Sequence, residues 1–236
     1  MVFFLSAAHR LSYIQFIRQM IRSSPVVIVF SIFLICLEYC APLAFSKCCG
    51  GIFDIKRWES FVFFDTYTWV LFLAAPIIIT KLIFREKLKD VGLMFPENKK
   101  STLVWMAISL LFLLPWMYFL SIQKLAHIYY SSDGLSLAKF IFIQCTVLPI
   151  YYFAEEFFFR GFLFLGLWRR VGWHSFWITD VIFALAHIGK PGFEILLAIP
   201  ASIILSALAL KTRSIYPPVL VHTTMGMFLN ISVRFF

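Results

Sequence analysis

Apolar runs of about 20 residues recur along this chain, each long enough at 1.5 Å per residue to cross a hydrocarbon core about 30 Å thick. No other feature constrains the fold as strongly. Within hydrocarbon every backbone N–H and C=O must find a partner inside the protein, and open sheet edges cannot face lipid. Phe, Leu and Ile runs of this length are therefore read as helices. The predicted fold is all-α: a polytopic bundle of seven transmembrane helices at about 25–45, 61–80, 102–122, 138–168, 173–191, 193–210 and 216–234. An additional basic, amphipathic stretch, His9–Arg22, reads as a helix lying on the membrane surface before the first span.

Composition supports this reading where it bears on it. Of 236 residues, 61% are hydrophobic and 14% charged, against roughly half and a quarter in soluble domains. No soluble domain is expected. The net charge of +9 raises the question of nucleic acid, but the basic residues lie in short loops between apolar runs, where topology signalling and anionic lipid account for them. No nucleic-acid module is found. Most of the 29 phenylalanines are expected to face lipid or fill packing space. Cysteines at 36, 40, 48, 49 and 145 form no zinc-type pair of C-x-x-C motifs, although Cys48 and Cys49 are adjacent in a loop.

Lys and Arg placement orients the bundle. With the N-terminus inside, inner segments carry 13 of these residues and outer segments 7, while Arg160 lies within a span. That excess places the N-terminus in the cytoplasm and the C-terminus outside. The apolar start Val2–Ala8 precedes the basic stretch, the reverse of a cleavable signal peptide. The absence of a recognisable organellar signal and the small size point to a bacterial inner membrane. Residues 1–137 form the interfacial helix with three accessory spans, and 138–236 a four-helix core that carries the polar residues.

Those polar residues fall in three clusters. In Glu155-Glu156-Phe157-Phe158-Phe159-Arg160 the two carboxylates point about 100° apart on a helix. Glu156 and Arg160, four apart, can pair, which leaves Glu155 available as a general base. The structural alternative is a buried ion-pair network. Pro149 upstream can open the helix to water. In Phe183-Ala184-Leu185-Ala186-His187, Phe183 and His187 share a face, and His187 can hold a water with Glu155, ligate a metal, or only hydrogen-bond between helices. Asp180, about 10 Å along the axis, should not reach His187. His222 follows Pro217-Pro218 in the last span and can donate to charge developing on a carbonyl. Its neighbours Thr223 and Thr224 can bond back to the helix backbone. No G-x-S-x-G or H-E-x-x-H occurs. An Asp65–Asp180 dyad lacks the supporting glycine-aspartate motif.

Taken in order on successive apolar segments, Glu155-Glu156-x-x-x-Arg160, Phe183-x-x-x-His187 and His222 resemble the CAAX protease and bacteriocin-processing (Abi) family over about residues 138–233. The resemblance implies an intramembrane glutamate-type protease: Glu155 activates water, His187 helps hold it, His222 stabilises the oxyanion, and Glu156, Arg160 and Phe183 support them. It implies no metal. Were one used, Glu155, His187 and His222 would be the ligands, and zinc the ion. The expected partners are a membrane-associated protein or peptide substrate and the bilayer itself. One departure stands out. The family has asparagine four residues after the third motif's histidine, where this chain has Gly226, and Asn230 lies a turn farther on and about 80° round. The rival reading is a catalytically inactive immunity, regulatory or scaffold protein. Neither a prenyl group on the substrate nor its cleavage position follows from the residues.

Overall fold

The computed structural model describes residues 24–48, 67–132, 134–188, 190 and 192–236. The expected surface helix His9–Arg22, Asp65 and Cys49 lie outside the described residues. Among those described there is no β-strand. Besides a 3-10 turn at Leu88–Val91, the described residues form eight helices in order: α1 (Ser24–Cys48), α2 (Tyr67–Ile83), α3 (Lys99–Ser121), the short α4 (Lys124–Tyr130), α5 (Leu137–Val171), α6 (His174–Leu185), α7 (Gly192–Thr212) and α8 (Tyr216–Phe235).

Three of these, α3, α5 and residues 193–212 of α7, are long and apolar enough to cross a membrane. The described apolar parts of α1 and α2 and all of α6 are shorter. α8 has 20 residues, but His222, Thr223, Thr224, Asn230 and Arg234 lower its hydropathy. Within the described residues each of the seven expected ranges overlaps a helix, and three of those helices meet the length and composition of a membrane crossing; the expected number of seven crossings is not reached by that measure. Large apolar side chains cover the outer face of α3, including Leu103, Leu111 and Phe112, as a lipid-facing surface requires.

Side-chain pairs and loop contacts define the two ends of the bundle. At one end Glu86, in the loop after α2, pairs with Arg169 at 2.6 Å and Arg170 at 3.2 Å. Ile215 N donates to Gly92 O at 2.9 Å at that end. At the other end Arg234 reaches the Ser132 and Leu135 carbonyls, and Tyr130 donates to Glu194. Segments 81–100, 169–170 and 211–213, which the charge count groups on one face of the membrane, are therefore joined at one end.

Local chemistry sets several boundaries. Asn98 caps α3, its Oδ1 accepting from Ser101 N at 2.9 Å, the usual way to satisfy a free helical N–H. Gly92 adopts φ +81, which closes the loop beneath α5 and α8. Gly161 lets the Val91 carbonyl approach α5 so closely that a Cβ there would stand 2.7 Å from it. The helix expected over 173–191 ends at Leu185. In its last turn His187 N bonds Ala184 O instead of continuing, and the His187 ring takes the Phe183 carbonyl that a longer helix would have bonded to backbone.

α5 is the axis of the fold. It contains two π-helical stretches, Ile143–Val147 just before Pro149 and Phe157–Leu165 just after the glutamates. Such widened turns accommodate a proline and are common where a helix carries function. Between Ala154 and Leu167 most of α5 is buried, with Phe158 and Phe159 packed on Phe72 of α2, Phe159 also on Phe183 of α6, and Phe162 on Phe84. In lipid such contacts stabilise by shape and dispersion rather than by escape from water.

Candidate active site

α5 and α8 run antiparallel in a definite register. Glu156 lies opposite His222, Tyr152 opposite Gly226, Gln144 opposite Asn230, and Phe140 beside Arg234. This register brings together two polar clusters separated by 66 residues.

At its centre is Glu156, fully buried. One carboxylate oxygen, Oε1, accepts a hydrogen bond from His222 Nδ1 at 2.6 Å and stands 3.1 Å from Arg160 Nη1. The Arg160 contact is off the hydrogen-bond direction, since among the described residues no guanidinium nitrogen finds an acceptor, so this pairing is Coulombic. Arg160, also fully buried, lies 4.3 Å over the ring of Phe183. A desolvated cation on an aromatic face is stabilised by about 2 kcal/mol. Phe183 in turn stacks on His187, ring centres 4.5 Å apart, and lies 6.2 Å from the ring of His222. Glu156, Arg160, Phe183, His187 and His222 thus form one contiguous group where α5, α6 and α8 meet.

Glu155 adjoins this group, 5% exposed, and among the described residues no hydrogen bond or ion pair engages its carboxylate. Its charge lies within electrostatic reach of His222, Lys190, Glu156 and Arg160. The expected pairing of Glu156 with Arg160 is present, with His222 as an additional holder of Glu156.

Hydrogen bonding assigns the histidine protons. His187 Nδ1 lies 2.8 Å from the Phe183 carbonyl, which can only accept, so Nδ1 carries the hydrogen and Nε2 of the neutral ring offers a lone pair. His222 Nδ1–H points at a carboxylate, so its Nε2 donates when the ring is doubly protonated and accepts when it is neutral.

Four participants were not singled out from sequence. Glu194, at the start of α7, stands 3.9 Å from His187 Nε2, pairs with Lys190 at 3.1 Å and accepts from Tyr130. Burial pushes the Tyr130 hydroxyl well above its usual range. Burial alone would lower Lys190, but Tyr130 and Glu194 outweigh it and hold the ammonium well above the ordinary lysine range. Tyr152, on α5, stacks on His222 with centroids 4.1 Å apart. A signal for Glu194 was present, since an acidic residue opening an apolar run is costly unless paired. Tyr152 precedes Glu155 by three residues and Glu156 by four, a spacing that sets it between the directions of the two carboxylates.

Other expectations resolve simply. Asp180 does not contact His187; its Oδ1 accepts from Ser202 at 2.6 Å. Asn230 donates to Gln144 at 3.2 Å, away from His222. Thr224 bonds back to Leu220 O at 2.8 Å, while the buried Thr223 hydroxyl has no partner among the described residues. Cys36 and Cys145 are free and exposed. Among the described residues no three His, Cys, Asp or Glu side chains are grouped to hold a metal ion.

Comparison with known proteins yields one match: residues 134–228 fit the model of the family described as Rce1-like, type II CAAX prenyl endopeptidase. No curated protein and no solved structure matches the chain. The matched segment contains Glu155, Glu156, Arg160, Phe183, His187 and His222, the whole of the contiguous group. With its apolar helices, the chain is an integral membrane protein whose residues 134–228 are similar to the Rce1-like family of type II CAAX prenyl endopeptidases, a family of proteases.

Proposed function

We propose that this protein is an intramembrane endopeptidase that hydrolyses a peptide bond of a membrane-associated protein or peptide by glutamate-activated water. Glu155 removes a proton from the water as its oxygen attacks the carbonyl carbon. His187 Nε2 accepts a hydrogen bond from the water's other O–H, which stays intact, and orients the water. His222, doubly protonated, donates from Nε2 to the carbonyl oxygen as negative charge gathers there. The C–N bond then breaks, and Glu155 returns its proton to the departing amine. Glu156 and Arg160 fix the His222 ring, and Phe183 carries Arg160 and His187 against its ring. The reaction uses no metal, so activity is expected to survive chelation. A bacterial inner membrane with the N-terminus in the cytoplasm is the proposed setting.

The observation that carries this reading is the single buried Glu156 oxygen shared by Arg160 of α5 and His222 of α8, beside an unengaged Glu155. Such a cluster is expensive in a membrane and is retained where it is used. The test compares membrane peptides from cells producing wild type or Glu155→Gln, with both proteins shown to be folded. Peptides truncated only in the wild-type sample are expected; identical peptide sets would remove proteolysis as the function.

One observation favours a second reading, a non-catalytic immunity, regulatory or scaffold protein: Gly226 stands where the resembling family has asparagine. Under that reading folded Glu155→Gln retains the full biological effect.

A further inference from the structure

A carbonyl oxygen that becomes an oxyanion is best held by more than one donor, and loss of one costs about 10²–10³ in turnover elsewhere. His222 offers one, Nε2. One helical turn beyond it on the same face of α8 lies Gly226, which has no side chain to offer.

The space at Gly226 is nevertheless filled. A Cβ built there would stand 2.6 Å from Tyr152 Cε2 and 2.8 Å from Cζ, with the hydroxyl nearer still. The phenol thus enters from α5 into the volume where a side chain at 226 would begin. Its ring is tilted 32° against His222, with centroids 4.1 Å apart, so ring and hydroxyl are seated between His222 and Gly226. Tyr152 also precedes Glu155 by three residues and Glu156 by four, which aligns it with both carboxylates on α5. It is partly buried, unlike the closed-off Glu156 and Arg160 beside it.

We propose that the Tyr152 hydroxyl is the second hydrogen-bond donor to the substrate's carbonyl oxygen, beside His222 and in the place left open by Gly226. A phenol can donate without carrying charge. Gly226 and Tyr152 then form a coupled pair: glycine admits the ring, and the ring delivers the donor. This makes Tyr152 a catalytic residue and removes the Gly226 argument for inactivity. The proposal rests on the hydrolase reading above.

The test uses the full chain in liposomes with an internally quenched peptide whose farnesylated cysteine is followed by three residues, and with the phosphinate analogue of that peptide. Tyr152→Phe keeps the ring and loses only the donor. It should lower kcat about 10²-fold, leave KM within about twofold, weaken phosphinate binding in parallel with kcat, and leave the unfolding midpoint unchanged. Gly226→Asn alone should be impaired by the clash with Tyr152, whereas Tyr152→Ala with Gly226→Asn should recover about tenfold over Tyr152→Ala. The proposal is overturned by Tyr152→Phe turning over within about twofold of wild type, or by losses confined to KM and stability. Active wild type, dead Glu155→Gln and unaffected Tyr152→Phe would overturn this proposal alone. Wild type unable to cleave the probe, with no truncated peptides in membranes, would overturn the hydrolase reading and this proposal with it.

Discussion

Replacing Arg160 by methionine removes the permanent cation that stands 3.1 Å from Glu156 while filling much the same volume. Both side chains are fully buried, so Glu156 would keep its charge with only His222 Nδ1, at 2.6 Å, to hold it. Breaking a buried ion pair from one side costs about 3–5 kcal/mol, and the remaining histidine bond argues for the lower end, about 3 kcal/mol. That sum includes the contact of the guanidinium with Phe183 at 4.3 Å. Against a total stability of about 5–15 kcal/mol the loss is large. Removing both charges, Glu156→Gln with Arg160→Met, leaves no uncompensated ion. The double variant should then be less destabilised than the sum of the singles by about 2–3 kcal/mol. Unfolding of the purified protein in mixed micelles, titrated with sodium dodecyl sulfate, measures both quantities. Additive single and double effects, or Arg160→Met within about 1 kcal/mol of wild type, would refute the assignment of Arg160 as the counter-ion of Glu156.

Three further outcomes follow from individual contacts. Gly161→Ala would place a Cβ 2.7 Å from the Val91 carbonyl, and overpacking should cost about 1–3 kcal/mol in the same unfolding assay; an unchanged midpoint would contradict the close approach of that loop to α5. Ser202→Ala strips Asp180 Oδ1 of its donor while Oδ2 has no partner among the described residues, so a loss of about 1–3 kcal/mol is expected, reduced when Asp180→Asn is added. Because the folded protein raises Lys190 above its ordinary range, its pairing with Glu194 contributes fully below the unfolded lysine pKa of about 10.4 and fades only above it. The stability gap between wild type and Lys190→Met should hence be equal at pH 6 and pH 9; a gap that shrinks between them would contradict the shift.

The helical character of the apolar runs was legible because hydrocarbon leaves the backbone few choices. Pairing of Glu156 with Arg160 was also legible, since a spacing of four fixes it locally. His222 as a partner of Glu156 was not, because it depends on the register of two helices 66 residues apart, which no local pattern encodes. Nor could the sequence show that Gly226 accommodates Tyr152, since an absent side chain carries no sign of what fills its place. The end of α6 was misplaced by several residues because the His187 ring substitutes for a backbone donor at Phe183, a tertiary solution to a helix terminus. Glu194 was overlooked although its charge in an apolar run called for a partner, and Lys190 and Tyr130 supply it.

Cleavage of the farnesylated, quenched peptide in liposomes by wild type, Glu155→Gln and Glu156→Gln, each with its unfolding midpoint measured, tests the proposed chemistry most directly. Glu155→Gln should keep its midpoint and lose at least about 10³-fold in turnover, as removal of a general base would cause within the range of 10²–10⁴, while Glu156→Gln should lose stability along with activity. A folded Glu155→Gln that cleaves at the wild-type rate would contradict the account.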